Sequence, residues 1–262
     1  MIPPINDALR DIGDALRRRR VWMALAAEDI GDAHRRTLLG PLWLLLNYLA
    51  FVGVIVLIIR SAGGIEHYTA YVACGLLVWL FISETIAGGG MVFFNEESLI
   101  KGTSLPISIY VMRQTMRSVI RFAYALGGAV GILVFSGLVP SAAWLTSIPA
   151  ILLLLATAPA ATILLASCGV VFPDLQHFVS NLMRLGFFLT PVFWSHENAG
   201  GLRAALYHWN PFSHYLDIFR LPIVSGGVPL GSWAICLCLS ALLWLCAILV
   251  LGVYRKKIVV MI

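Results

Sequence analysis

The sequence predicts an all-α integral membrane protein, and three observations support that fold class. Hydrophobic residues make up 60% of the 262 residues and charged residues only 12%. The mean hydropathy of +0.90 lies outside the range of soluble globular chains. Most of the chain falls into apolar runs of about 20 residues, the length at which a helix crosses a bilayer. The alternation of apolar and polar residues that is typical of an outer-membrane barrel is absent from the sequence.

Residues 1–36 are predicted to form amphipathic helices that lie in the cytoplasmic membrane interface. In the first helix, Asp and Arg fill one face, and the apolar residues that recur at helical spacing are Ile5, Ala8, Leu9, Ile12, Ala15 and Leu16. A second charged segment, Glu28 to Arg36, precedes a long uncharged run. Gly40 and Pro41 supply a turn and a helix start between the two. A solvated charged tail is the alternative for this region.

Residues 37–262 are predicted to form a transmembrane domain of six helices. Their approximate bounds are Leu38–Ile59, Tyr68–Ala87, Ser118–Leu138, Leu145–Val171, Phe178–Trp194 and Ser232–Tyr254. The third span could begin as early as Ile107, because the preceding sequence is compatible with a helix. That helix would carry Arg113, Arg117 and Arg121 on one face, where they favour anchoring at one membrane surface.

The distribution of Lys and Arg predicts that both termini are cytoplasmic. Six spans put the two termini and the loop after the second span on one side, and most of the basic residues assigned to loops lie there. Arg60, Arg203 and Arg220 fall on the opposite side. This asymmetry is typical of basic loops held inside the cell, as expected for a multi-pass protein of a cell membrane. The net charge of +5 therefore indicates anionic lipid headgroups, with no need for nucleic acid.

Six stretches of the chain carry a family resemblance. AEDIGDAHRRTLLGPLWLLLNYL combines an acidic in-plane helix, two basic residues, Leu-Gly-Pro and Trp. It is followed by GLLVWLFISETI, NEESLIKGTSLPISIYVMR, FPDLQHFVSNLMRLGFFLTPVFW, NPFSHYLDIFRLPIVSG and YRKKIV. Together, in this order and over nearly the whole chain, they resemble the permease subunits of bacterial ABC exporters for O-antigen, capsule, teichoic acid and related polysaccharides.

The resemblance implies a separate ATPase partner. No G-x-x-x-x-G-K-[ST] loop occurs in these 262 residues, so ATP and Mg²⁺ are expected on the partner, with no cofactor in this chain. In such permeases the segment between spans two and three docks in a cleft of the ATPase, which corresponds here to residues 94–105. The expected coupling residues are Asn95, Glu96, Glu97, Leu99 and Lys101. An ordinary solvated loop is the alternative.

The outer segment 195–231 is predicted to contain re-entrant helices. Its apolar stretches are too short to span a bilayer and are broken by Gly and Pro. By resemblance, a pair of helices here caps the pathway on the far side, with a cap formed by Phe193, Trp194, Asn210, Pro211 and Phe212. A metal site at His196, Glu197, His208 and His214 is not expected, because HENAGG lacks the second histidine of H-E-x-x-H.

Other candidate residues lie within or beside the spans. Glu84 is an acidic residue at possible membrane depth, and an interhelical contact with Ser or Arg is as plausible for it as a functional role. Aromatic side chains can stack on sugar rings, and the candidates for the channel lining are Tyr48, Phe51, Trp79 and Phe81. If the lipid carrier is a diphosphate, cations at the cytoplasmic entrance could receive it; these are Arg35, Arg36, Arg113 and Arg117.

The resemblance implies ATP-driven translocation of a lipid-linked polysaccharide, with O-antigen as the first choice. A permease homodimer with two ATPase subunits is expected, because six helices are too few to wall a channel wide enough for a glycan. Capsule or teichoic acid export, and drug or lipid efflux by the same fold, are the alternatives. A secondary carrier that uses Glu84 as a proton relay is disfavoured, since no inverted repeat is apparent. An enzyme is disfavoured because no nucleophile and base stand at recognisable spacing.

Overall fold

The computed structural model describes residues 5–59, 65, 67–195 and 201–262. These ranges contain twelve α-helices and one short 3-10 helix and no strand. The helices are α1 Ile5–Arg17, α2 Arg19–His34, α3 Leu42–Ile59, α4 Tyr68–Gly89, α5 Val92–Asn95, α6 Glu97–Gly102, α7 Ser108–Phe135, α8 Ser147–Val171, α9 Leu175–Leu189, α10 Leu202–Trp209, α11 Pro211–Val224 and α12 Leu230–Met261, with the 3-10 helix at Ala142–Thr146. The predicted all-α class is confirmed for the described residues.

Among the described helices, five are long and apolar enough to cross a membrane: α3, α4, α7, α8 and α12. They coincide with five of the six predicted spans. The third predicted span begins at Ser108 rather than Ser118, which is close to the early start at Ile107 that the sequence allowed. The first begins at Leu42, four residues late, because Thr37 to Pro41 form turns in which Gly40 has a φ of +55°.

The predicted fifth span, Phe178–Trp194, differs from the structure. The helix in this position, α9, covers 15 residues, or about 22 Å at 1.5 Å per residue, and ends at Leu189. Thr190 precedes Pro191 and adopts an extended conformation (φ −93°, ψ 140°), as expected for a residue before proline. A continuous helical crossing at this position is therefore not confirmed.

Helix α4 is the central element of the bundle. It packs against α3, α7, α8, α9 and α11, and most of its side chains are buried. Small residues allow close backbone approach around it: a Cβ at Gly75 would lie 2.8 Å from the carbonyl oxygen of Val192. A Cβ at Gly169 of α8 would overlap the carbonyl oxygen of Gly90. Glycine is required at both positions because the neighbour is backbone and cannot rotate away.

The two N-terminal helices lie against the beginning of α7, and α1 also contacts the C-terminal part of α12. Ala8, Ile12 and Ala15 of α1 are buried against the protein, whereas Leu9 and Leu16 are about half exposed. Part of the predicted apolar face of α1 therefore packs on the rest of the protein, and part of it stays exposed. Helix α2 packs on α7, and its buried residues are Ala26 and Ile30.

Candidate coupling and translocation sites

The predicted coupling segment, residues 94–105, forms a short helical projection. It contains the end of α5 and all of α6. Asn95, Glu97, Leu99 and Lys101 are exposed, and Lys101 donates to the Glu97 carboxylate at 2.6 Å. Glu96 differs from these four because its side chain turns inward and is only 12% exposed. Four of the five predicted residues are therefore accessible at the surface of the projection.

Arg113 of α7 joins the projection to the N-terminal region. Its Nε and one terminal nitrogen donate to the two carboxylate oxygens of Asp29 in α2, at 2.9 and 2.6 Å. Its other terminal nitrogen donates to Glu96 at 2.6 Å. The three side chains are 14%, 22% and 12% exposed, respectively. Burial raises the pKa of Glu96 above its ordinary value, and the Arg113 guanidinium opposes that shift.

The four predicted entrance cations are in different environments. Arg113 is engaged by the two carboxylates just described, and Arg117 Nε lies 3.8 Å from Asp29. Arg35 and Arg36 are exposed just beyond α2, with Arg35 3.9 Å from Asp32. The structure thus separates two paired cations from two accessible ones, and a role in receiving a diphosphate stays a prediction.

Asp11 is a functional candidate that the sequence analysis missed. This α1 side chain is 3% exposed and accepts hydrogen bonds from the backbone N–H groups of Ile107 and Ser108, at 3.3 and 2.9 Å. Its carboxylate also lies 3.4 Å from Arg255 Nε in α12. Asp11 therefore caps the N-terminus of α7, where an anion is favoured by the helix dipole. In the sequence it looked like one more residue of a charged helix face.

Glu84 lies beside a cavity between α3, α4 and α7. It accepts hydrogen bonds from Arg121 at 2.8 Å and Ser118 at 3.4 Å, so the interhelical contact considered from the sequence is present. The cavity has a volume of about 310 Å³, and its lining includes Tyr48 and Phe81. Because Arg121 balances the Glu84 charge, the cavity carries no net charge from this pair.

The predicted channel aromatics are divided between the core and the surface. Tyr48, Trp79 and Phe81 are almost fully buried, whereas Phe51 is 52% exposed. Phe51 and Trp79 both contact the ring of Phe187 in α9, with centroid distances of 6.1 and 6.4 Å. A role for these rings in lining a channel stays a prediction.

The predicted cap residues meet in one cluster next to these aromatics. Phe193 contacts the Phe187 ring at 5.3 Å, and Phe212 contacts Trp79 at 5.8 Å. Asn210 donates to Thr190 Oγ1 at 2.8 Å and accepts from the Phe212 N–H at 3.0 Å. Helix α11 begins at Pro211, as the sequence predicts. Trp194 Nε1 donates to the carbonyl of Phe188 at 3.1 Å.

A buried ion pair in α11 holds this region together. Arg220, counted from the sequence among the outer loop cations, is 1% exposed, and its partner Asp217 is fully buried. Their side chains are 2.7 Å apart. Arg220 also donates to the Pro191 carbonyl at 2.6 Å and lies 3.8 Å above the Tyr71 ring, while the Tyr207 hydroxyl donates to Asp217. One guanidinium thus connects α4, the end of α9 and α11.

Among the described residues, no group of three or more His, Cys, Asp or Glu side chains is placed to hold a metal ion. His196 and Glu197 lie outside the described residues. His214 is hydrogen-bonded to Ser232 at 3.0 Å and lies 3.3 Å from the carbonyl oxygen of His208.

Five apolar helices of membrane-spanning length define a multi-pass membrane protein. The chain is similar to proteins named O-antigen export system permease protein RfbA. The relative from Myxococcus xanthus is 28% identical over 232 residues, which cover 82% of this chain and 86% of the relative. Two from Klebsiella pneumoniae are 22% identical over 207 residues, which cover 78% of this chain and 80% of each relative. No family model matches the chain.

These similarities confirm the resemblance to exporter permeases on which the sequence analysis relied. The relatives' names indicate a permease, which is a transport subunit rather than an enzyme.

Proposed function

We propose that this chain is the membrane-spanning subunit of an ATP-driven ABC exporter that moves lipid-linked O-antigen out of the cytoplasm. The observation that carries the proposal is the similarity to O-antigen export permeases over about four fifths of the chain. Two features of the structure agree with it: an exposed coupling projection and an aromatic cluster that connects the predicted channel lining to the predicted cap.

A six-crossing topology is part of the proposal, with both termini cytoplasmic and the chain in the inner membrane. It is supported by the segment that contains α9, because the two ends of this segment contact opposite ends of α4. Gln176 donates to the carbonyl of Ala87, near the cytoplasmic end of α4. At the other end, the Tyr68 hydroxyl donates to the carbonyl of Phe193 at 3.0 Å. The segment 175–194 therefore runs the length of α4 as a short helix followed by an extended segment.

Helices α10 and α11 are proposed to re-enter the membrane from the outer side. Their junction at Asn210 and Pro211 lies at the level of Trp79, which is halfway along α4, because Phe212 packs on that indole. The far end of α11 returns toward the outer ends of the neighbouring helices: Ser147, the first residue of α8, donates to the carbonyl of Phe219 at 3.0 Å. Non-helical backbone at this depth is tolerated because it is enclosed by protein.

A separate ATPase is proposed to drive transport through the coupling projection. Movement of α6 would reach α7 and α2 together, because Glu96 and Asp29 both bind Arg113. A homodimer is proposed because one bundle of this size cannot enclose a polymer. The two copies would form the channel between them, and the predicted cap would close its outer half.

Deletion of the gene followed by complementation tests this function. Cells without the chain should lose surface O-antigen and accumulate the lipid-linked saccharide internally, and the intact gene should restore export. The purified complex should contain this chain and an ATPase in a one-to-one ratio. Surface O-antigen that is unchanged by the deletion would refute the proposal. A reporter fused at Ser98 tests the topology separately and should be cytoplasmic.

A further inference from the structure

Helix α9 carries a polar stripe along an exposed face. His177, Asn181 and Arg184 follow one another at helical spacing, and all three are exposed. Beside them runs a second exposed stripe that is entirely apolar: Phe178, Leu182, Leu185 and Leu189. The opposite face of α9, which includes Val179 and Met183, is buried against the protein.

Arg184 lies near the middle of the bundle's height. Gly186, two residues further along α9, is so close to Trp79 that a Cβ there would be 2.9 Å from the indole. Trp79 is midway along α4, which is itself long enough to cross the bilayer. Nine residues, or about 14 Å of helix, separate Arg184 from the start of α9 at Leu175. This distance exceeds the reach of an arginine side chain, so snorkelling alone does not bring the cation to the membrane surface.

Arg184 also differs from other arginines of the bundle because no described residue supplies it with a counter-charge. Arg113, Arg121 and Arg220 each hold a carboxylate at 2.6 to 2.8 Å. Within the described ranges, no side chain or carbonyl makes a hydrogen bond or ion pair with Arg184. An unpaired guanidinium exposed to acyl chains is costly, and such residues generally face water or protein. A neighbouring His and Asn on the same face favour water.

We infer that the stripe of His177, Asn181 and Arg184 lines the aqueous pathway, and that Arg184 binds a phosphoryl oxyanion of the lipid-linked saccharide during its passage. The inference rests on the proposed function. The local charge indicates which class of ligand each site favours. In the cavity beside Glu84, the charge of this residue is balanced by Arg121. Arg184 instead offers an unbalanced positive charge and up to five N–H donors, which favour an oxyanion such as a phosphoryl group. Phe188, one turn beyond Arg184 and 65% exposed, continues the stripe toward the aromatic cluster of the predicted cap.

Cysteine accessibility in the full chain with its ATPase partner tests this site. In a version whose five native cysteines are replaced, Asn181→Cys should react with membrane-impermeant methanethiosulfonates. Leu185→Cys, on the adjacent apolar stripe, is the control and should react at least about tenfold more slowly, since reagents of this kind need water. The rate of each reagent with Asn181→Cys is divided by its rate with free cysteine. This normalised rate should be about tenfold higher for the anionic sulfonate reagent than for the cationic ammonium reagent, because Arg184 is nearby and positively charged.

The role of Arg184 is tested by adding a second substitution. The charge preference at Asn181→Cys should disappear with Arg184→Gln and persist with Arg184→Lys. Equal reactivity at positions 181 and 185, or a preference unchanged by Arg184→Gln, would overturn the inference. Purified lipid-linked saccharide should slow the labelling. Equal protection by phosphatidylglycerol vesicles without the saccharide would assign the site to bulk lipid and overturn its role in transport.

Failure of this site and failure of the proposed function give different results. If cells export O-antigen through this chain while Asn181→Cys remains unreactive, only the site is wrong. If deletion of the chain leaves O-antigen export unchanged, the proposed function itself is wrong.

Discussion

Removal of the Glu96 carboxylate should destabilise the protein far more than removal of its neighbour Glu97. Glu96 is 12% exposed and bonds to Arg113 at 2.6 Å, so Glu96→Ala removes a charge-assisted hydrogen bond worth about 1.5–3 kcal/mol. Glu97 makes an equally short contact with Lys101, but both side chains are 48% exposed. An exposed i,i+4 pair of this kind contributes only about 0.3–0.5 kcal/mol.

Replacing Arg113 should destabilise the protein more than replacing Glu96. Arg113→Ala leaves the carboxylates of Asp29 and Glu96 buried without their cation, a loss of about 3–5 kcal/mol when a buried pair is broken on one side. Glu96→Ala costs less because Asp29 still balances Arg113. The double variant Glu96→Ala/Arg113→Ala should lose less stability than the sum of the two single losses, because both substitutions remove the same interaction.

Thermal unfolding of the purified protein in one detergent is the assay. A loss of 2 kcal/mol corresponds to a fall in Tm of about 4–8 °C for a domain of about this size. Glu97→Ala is the matched control, with a fall of no more than about 2 °C expected from its small ion-pair energy. Equal Tm values for Glu96→Ala and Glu97→Ala would refute the assignment of Glu96 to a buried junction.

Three further substitutions test other contacts by the same measurement. Asp11→Ala should lower the free energy of unfolding by about 0.5–2 kcal/mol, because α7 loses its N-terminal cap. Asp14 is exposed on the same helix, so Asp14→Ala should change the stability little. Equal effects of the two substitutions would contradict the capping role of Asp11. Gly169→Ala should destabilise strongly because its methyl group overlaps a carbonyl, and Gly127→Ala, with open space around it, should be neutral or stabilising by up to about 1 kcal/mol. Arg220→Met should cost about 3–5 kcal/mol by leaving Asp217 without its cation; a Tm close to that of the unsubstituted protein would contradict the buried pair.

The helices that sequence reasoning places correctly are those whose signal is local. The length of an apolar run identifies α3, α4, α7, α8 and α12, because a lipid-embedded backbone has to satisfy its own hydrogen bonds. The end of α9 was missed because apolar residues continue through Trp194. The conformational effect of Pro191 on Thr190 was available from the sequence but was outweighed by that run.

The candidate sites depend on contacts that sequence spacing does not specify. Arg113 was expected to be an accessible cation, but its main partner, Asp29, is 84 residues away and reaches it only because α2 docks on α7. Arg184 illustrates a different case. A basic residue inside a predicted span is visible in the sequence, but its significance depends on which face of α9 is buried, and only the packing supplies that.

The pairing of Asp217 and Arg220 within one helix also bears on how the protein is made. Both residues lie on one face of α11, three positions apart, so they can neutralise one another as soon as that helix forms. A lone charge at the centre of a membrane helix costs about 2.5–3.5 kcal/mol during insertion. In the proposed re-entrant topology, α11 would therefore enter the bilayer as an electrically balanced unit, and its contacts with Tyr71 and Pro191 would then fix its final position.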